Sequence, residues 1–246
     1  MENAPVINMN FLNIAPGADD EIVKRYHKWV TEVYHPMQMK FAVITGIDRY
    51  EIVRKNPEYP SICSIHHFEN IAAYENYVKN PEGQAVVEDL KTWVKRGVRE
   101  VIWSVVYELV QSFRDVTVST GGKKDTRIEN APIMHMEAYW MTPEEWDKFN
   151  KWFNEYGRVF ILLFMKNCGL KGYDCFKYRC LGGNISMETA YPPYISLLYF
   201  ENLKAFDEFE ESSEMVSFQS ALRNILPFGL NYRRYVQYQL NHSLRK

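Results

Sequence analysis

The chain has 246 residues, 46% of them hydrophobic and 24% charged, with a formal net charge of −2. That balance gives no electrostatic reason to expect nucleic acid or an anionic membrane as a partner. The strongest apolar run, "VFILLFM" from Val159 to Met165, is far short of the roughly 20 residues that span a bilayer. The start "MENAPVINMN" has neither a basic stretch nor an apolar run, so a cytoplasmic location is expected. Aromatic residues make up 15% of the chain, which fits aromatic-rich cores or an aromatic-lined pocket. Cys63, Cys168, Cys175 and Cys180 form no Cys-x-x-Cys pair. They read as buried free thiols rather than as a zinc site.

In chain order, "PVINMNFLNI" (Pro5 to Ile14) alternates and predicts a strand. "ADDEIVKRYHKWVTEVY" opens on acidic residues and spaces Ile22, Tyr26, Trp29, Val30 and Val33 as a helix does. Strands follow around Ile44 to Val53 and from Ser61 to Phe68. The stretch "NIAAYENYVKNPEGQAVVEDLKTWV" predicts a helix broken near Asn80-Pro81. "EVIWSVVYELVQSF" predicts the last strand. The order is β-α-β-β-α-β, the split ferredoxin-like arrangement.

The second half repeats the first. "YPSICSIHHFEN" (Tyr59 to Asn70) is answered by "YPPYISLLYFEN" (Tyr191 to Asn202), and "GIDRYEI" (Gly46 to Ile52) by "GYDCFKY" (Gly172 to Tyr178). "ENAP" at Glu2 and Glu129, "HKW" and "NKW", and "YELVQS" and "YQLNHS" keep the same order. A repeat this long means two domains rather than a solenoid. The expected units are residues 1–118 and 132–246, joined by a polar linker over 119–131. A four-stranded sheet with helices on one face needs cover on the other. The expected fold is therefore α+β: two ferredoxin-like units packed sheet to sheet as an intramolecular α/β barrel.

This order and these motifs resemble the dimeric α/β-barrel superfamily, and within it the EthD-like group. The resemblance is carried by "RYHKWVTEVYHPM" with the following "GIDRY", and by "FENIAAYENYVKNPEG" (Phe68 to Gly83). It covers nearly the whole chain, twice. It implies cofactor-free cyclases, isomerases, dehydratases or quinone-forming monooxygenases acting on small, often aromatic or polyketide-like molecules. Some relatives bind haem. Their pockets lie between the sheet and its covering helices. Tyr77 falls where the superfamily's cyclases place a pocket tyrosine, and Gly83 falls where they place a catalytic histidine. His35 fits the EthD-like histidine at the helix end, and its second-half counterpart falls near Arg158.

Strand parity sorts the remaining candidates. Residues two apart share a face, so Ser64, His66 and Phe68 lie on one face of their strand and Cys63, Ile65 and His67 on the other. By the resemblance, the Phe68 face lines the pocket, which makes His67 a structural residue. Asn8 and Asn10 share a face of the first strand. Their second-half counterparts are His135 and Glu137, followed by Tyr139. A carboxylate beside an imidazole can tune a general base; a buried hydrogen-bonded pair explains the same residues. His35 has a structural reading too, as a helix-end histidine satisfying the last carbonyls, with Pro36 stopping the helix. Tyr77 reads equally as a core aromatic.

The functional expectation is a cofactor-independent enzyme that moves a proton on a small apolar or aromatic molecule, by isomerisation, dehydration or cyclisation. His66 or His35 would be the general base or acid, with Tyr77 and Asn8 or Asn10 orienting a substrate oxygen. Asn8, Asn10, Ser64 and Phe68, or His135, Glu137 and Tyr139 in the second half, would contact the substrate. The alternative is a non-catalytic small-molecule or haem-binding protein; a third reading is a structural fusion whose pockets are filled. No cofactor and no metal is expected, the partners are a small molecule and a second copy of the fused chain, and no nucleic acid or membrane is involved. No phosphate loop, nucleophile elbow or zinc-protease helix occurs.

Overall fold

The computed structural model describes residues 5–54, 56–57, 59–114, 131–182, 191–225 and 233–246. Apart from Ala131, the linker expected over 119–131 lies outside them. The elements are β1 (Val6–Ile14), α1 (Asp20–Trp29), α2 (His35–Gln38), β2 (Ile44–Ile52), β3 (Ile62–Phe68), α3 (Ile71–Lys79), α4 (Pro81–Lys95) and β4 (Arg99–Arg114). The same order follows in β5 (Ile133–Tyr139), α5 (Pro143–Trp152), α6 (Arg158–Asn167), β6 (Leu170–Leu181), β7 (Tyr194–Phe200), α7 (Leu203–Glu210), α8 (Ser213–Ile225) and β8 (Arg233–Arg245). Hydrogen-bonded neighbours run β1-β3-β2-β8-β5-β7-β6-β4, and this order closes as a barrel. The fold class is α+β. The chain divides into two compact units. One holds residues 2–109, 178–191 and 240–246; the other holds 110–177 and 192–239.

Local sequence sets the first unit's elements. Asp19 caps α1 by accepting from the Ile22 N–H at 3.0 Å, with Asp20 and Glu21 in the favourable first turn. Pro36 does not stop this helix, contrary to expectation. The ladder widens into a π turn over Val30–Tyr34, with the His35 N–H bonded to the Val30 carbonyl, and continues through α2. Proline lacks an N–H and its ring crowds the carbonyl four residues back, so a widened turn is where a helix can carry one. The extra residue also turns the following face by about 100°. As a result His35 and Gln38 are both buried.

The break at Asn80-Pro81 occurs as expected. Asn80 has extended backbone, ends α3, and caps α4 by accepting from the Glu82 N–H at 2.8 Å. Pro81 follows at the first helical position, where no N–H is needed. The recurring Phe-Glu-Asn is a strand end plus a cap. Asn70 accepts from the Ala73 N–H at 2.8 Å, and Asn202 from the Ala205 N–H at 2.9 Å.

The strand registers of the two units coincide. Asn8 faces His66 and Asn10 faces Ser64 between β1 and β3; Ile47 and Arg49 face the same two residues from β2. In the second unit His135 and Tyr173 face Leu198, while Glu137 and Cys175 face Ser196. Both carry a bulge at a glycine, Gly46 and Gly172. A Cβ on Gly46 would meet the Arg245 guanidinium at 2.8 Å, and one on Gly172 would meet that of Arg114 at 3.1 Å. Each arginine passes over its glycine to a buried aspartate: Arg114 grips Asp174 with two bonds of 2.9 and 2.8 Å, and Arg245 bonds to Asp48 at 2.5 Å.

Candidate functional site

A cavity of about 490 Å³ lies in the first unit, between one face of its sheet and α1 to α4. Asn8 and Asn10 of β1, Ser64 and His66 of β3, Arg49 of β2 and Ser104 of β4 supply polar wall; His35 and Gln38 of α2 and Tyr77 of α3 face them. Tyr77 and Tyr74 belong to an apolar cluster with Phe68, Ile44 and Ile47, and Tyr26, Val30 and Tyr34 to another with Val86. Each such buried aromatic or aliphatic side chain stabilises the fold by roughly 1.5–3 kcal/mol, which fixes the helices that close the cavity.

A directed hydrogen-bond network runs along the wall. Ser104 Oγ donates to Asn10 Oδ1 at 2.7 Å, and Asn10 Nδ2 donates to Asn8 Oδ1 at 2.9 Å. Asn8 Nδ2 donates to Ser104 Oγ and to the Val105 carbonyl, both at 3.3 Å. Asn10 Nδ2 also lies 3.2 Å from His66 Nδ1. An amide nitrogen can only donate, so His66 Nδ1 accepts and the ring proton sits on Nε2. That N–H donates to Gln38 Oε1 at 3.0 Å. Gln38 Nε2 in turn donates to the Tyr77 hydroxyl at 2.9 Å and the Tyr34 hydroxyl at 3.2 Å. Both tyrosine oxygens accept, so their own protons remain to be donated.

The two cavity histidines differ. His66 has both ring nitrogens engaged. Burial, reinforced by His67, brings its pKa down to about 4. His35 is 1% exposed, and its Nδ1 is buried without a hydrogen-bond partner among the described residues. Burial first, then the nearby His66 and Arg49, hold its pKa well below the ordinary range. Its ring stacks on His242 at 5.5 Å and meets His66 edge-on at 6.3 Å. Both imidazoles are neutral at pH 7. Burial raises the Tyr77 pKa, against the opposing pull of Gln38.

The other predicted residues fall elsewhere. Phe68 is not on the cavity wall; its ring lies edge-on to Tyr74 at 5.4 Å and against Tyr77 at 5.9 Å. Asn8 and Asn10 line the cavity, but their amide hydrogens are spent within the wall. His67 donates to Asp48 at 2.7 Å on the opposite face of β3. His135, Glu137 and Tyr139 do not line this cavity. They are buried in the second unit, where His135 Nε2 lies 3.2 Å from Glu137 Oε1, Tyr139 donates to Glu137, and Gln237 donates to His135 Nδ1 at 3.1 Å. The three residues and Gln237 thus share one buried hydrogen-bonded set.

Sequence reasoning missed Gln38, Tyr34, Ser104, Arg49 and Arg99. Parity on β2 places Arg49 with Ile47, opposite Ser64, and could have found it. Gln38 lies beyond Pro36, where a helix was expected to have ended. Among the described residues no group of three or more His, Cys, Asp or Glu side chains could hold a metal ion. No helix among them is long and apolar enough to cross a membrane.

No protein-family model and no curated protein matches the chain. Solved structures do. An anthrone oxidase-like protein superposes with a TM-score of 0.66 at 11% identity, over 99% of this chain and 94% of its own. A protein of Fusobacterium nucleatum described as a candidate monooxygenase gives 0.62 at 12% identity, over 100% and 96%. A chlorite dismutase mutant from Candidatus Nitrospira defluvii, in complex with cyanide, gives 0.54 at 8% identity, over 98% and 92%. The fold is that of the dimeric α/β-barrel proteins. At these identities the likeness shows the fold alone.

Proposed function

We propose that the cavity of the first unit binds a small, largely apolar or aromatic molecule and transfers a proton on it, as an isomerase, dehydratase or cyclase of the EthD-like type. The observation that carries this reading is His35: a neutral imidazole in the cavity wall whose Nδ1 has no partner among the described residues. His35 takes the proton from substrate carbon. Tyr77, whose oxygen already accepts from Gln38, donates its O–H to the substrate oxygen; its raised pKa keeps it a donor throughout. His66 is a positioning residue, which fixes the orientation of Gln38 and through it of Tyr77 and Tyr34. The chain is read as a fusion of two EthD-type units, residues 1–118 and 132–246, of which the first keeps the site.

The test is solvent deuterium exchange. Aromatic and polyketide-like ketones are incubated with the protein in D₂O, and incorporation beside the carbonyl is read by mass spectrometry. His35→Ala and Tyr77→Phe should each slow exchange by about 10²–10⁴-fold, and His66→Ala by less. Unchanged exchange in all three variants would remove the proposal. Haem is the alternative occupant, and one residue fits it: His66 has both nitrogens engaged, so His35 is the cavity histidine that would hold the iron. Bound haem would supply redox chemistry, and a Soret band in purified protein would favour it.

A further inference from the structure

The cavity holds two buried cations that the proton-transfer reading does not use. Arg49 and Arg99 both line it and are 2% and 4% exposed. They flank one ring, with their guanidinium carbons 5.8 and 6.0 Å from the centre of Tyr26. Each makes one neutral hydrogen bond: Arg99 Nη1 donates to the Tyr26 hydroxyl at 3.3 Å, and Arg49 Nη2 to His27 Nδ1 at 3.3 Å. Arg99 Nε is buried with no partner among the described residues. Neither guanidinium forms an ion pair with a carboxylate among the described residues. Glu51, two residues along β2, lies 3.4 Å from the same His27 Nδ1, and Arg49 is among the charges that lower its pKa, but the two form no ion pair.

A guanidinium carries five donors, and taking one out of water costs several kcal/mol unless a counter-charge and hydrogen bonds replace the lost hydration. A single tyrosine ring, worth about 0.5–2 kcal/mol per cation, does not balance two. Two half-buried arginines show what this fold does when the counter-charge is internal: Arg114 has Asp174 and Arg245 has Asp48. Nor does the fold require a cation on β2. Arg49 faces Ser64, and the second unit places Cys175 opposite Ser196 at the same register.

We propose that Arg49 and Arg99 are an anion dock, and that the ligand of this cavity carries a carboxylate on an apolar or aromatic body. The planar forks of the two guanidiniums match a carboxylate, which can accept bidentate bonds from each. Arg49 lies two residues along β2 from Ile47, which faces His66, a spacing of about 7 Å. The dock therefore holds one end of a molecule whose other end reaches His66 and the residues around it. This inference rests on the proton-transfer reading for the identity of the cavity, and it narrows the substrate to an aryl or polyketide-like acid.

The probes are naphthylacetate and its uncharged isostere naphthylacetamide, with binding measured by calorimetry. The full chain should bind the acid at least about tenfold more tightly than the amide, as expected for a charge-assisted contact in a buried site. Arg49→Cys and Arg99→Met should each erase that preference while raising the melting temperature, because each removes a buried charge that has no ion pair among the described residues. Equal binding of acid and amide, no binding of the acid at millimolar concentration, or a preference that survives both substitutions would overturn the dock. So would a fall in melting temperature in both variants, which would make the arginines structural. The same titration in His35→Ala separates the two proposals: the acid preference persists there even if His35 has no catalytic role. A haemin titration separates the sources of the carboxylate. A Soret shift lost in the arginine variants would assign the dock to propionates, and no shift would assign it to a free acid.

Discussion

His66 donates from Nε2 to the side-chain oxygen of Gln38 across 3.0 Å. The bond joins the middle of β3 to the last residue of α2, and it orders everything beyond it. An amide has one accepting end and one donating end. Once His66 fills the oxygen, Gln38 must present its nitrogen to Tyr77 and Tyr34, and the two hydroxyl protons are left to be donated.

Replacing Gln38 tests that order. Gln38→Leu leaves the His66 N–H unpaired in a buried site, which should cost about 1–3 kcal/mol. The check is a lower urea midpoint with an unchanged slope. Gln38→Glu places an acceptor-only carboxylate on the same N–H and should raise the His66 pKa from its value of about 4. A histidine NMR titration reads that directly.

The buried histidines make stability depend on pH in a defined sense. The His66 pKa is lowered from 6.5 to about 4 in the folded chain, chiefly by burial. Between those values the unfolded chain binds the proton and the folded chain does not, so stability rises with pH across the window and falls as pH drops through it. The full effect is about 3 kcal/mol, and His35 acts in the same direction. Urea unfolding at pH 7 and pH 5 should show the loss, and His66→Leu, which copies Leu198, should reduce the slope.

Asp48 behaves oppositely. Burial works to raise its pKa, but His67 and Arg245 outweigh burial and bring it down to about 2. A lowered carboxylate stabilises the fold above its unfolded pKa of 3.8, and the contribution disappears as pH falls toward 2. Asp48→Ala removes the carboxylate that Arg245 and His67 both bond and should destabilise the fold by a few kcal/mol, about 3 at most, at neutral pH, read by chemical denaturation. Asp174→Ala, which removes the carboxylate that Arg114 grips, should also destabilise the fold.

Gly182 closes the cavity wall next to the Asn8–Ser104 contact. A Cβ there would collide with the Ser104 hydroxyl and the Asn8 amide. Gly182→Ala should lower stability, because both side chains must give way and the Cβ also meets the Ser104 backbone carbon at 3.1 Å. It should also loosen the ring that holds Asn10 on His66. The expected readout is a change in the ¹⁵N shift of His66 Nδ1 together with weaker naphthylacetate binding.

Much of the fold was legible because its signals are local. The alternation of β1, the cap at Asn70, the break at Asn80-Pro81 and the recurrence of Tyr-Pro and Phe-Glu-Asn each depend on a few neighbouring residues. The face of His66 was legible for the same reason, since strand parity is a rule of adjacent residues. The sequence by itself also separated His66 from His67, and the two now sit in different networks, one on Gln38 and one on Asp48.

What only the tertiary structure decided is which polar groups have partners. The π turn that carries Pro36 brings His35 and Gln38 inward, and no short-range signal marks it. Nothing in "HMEAY" tells which partners His135 and Glu137 take; in the fold His135 Nε2 lies 3.2 Å from Glu137 and its Nδ1 accepts from Gln237. Arg49 and Arg99 look like surface charges along the chain, and only their burial without a carboxylate makes them informative. Hydrogen-bond satisfaction and counter-charge are properties of residues far apart in sequence, so they appear once the strands and helices have met.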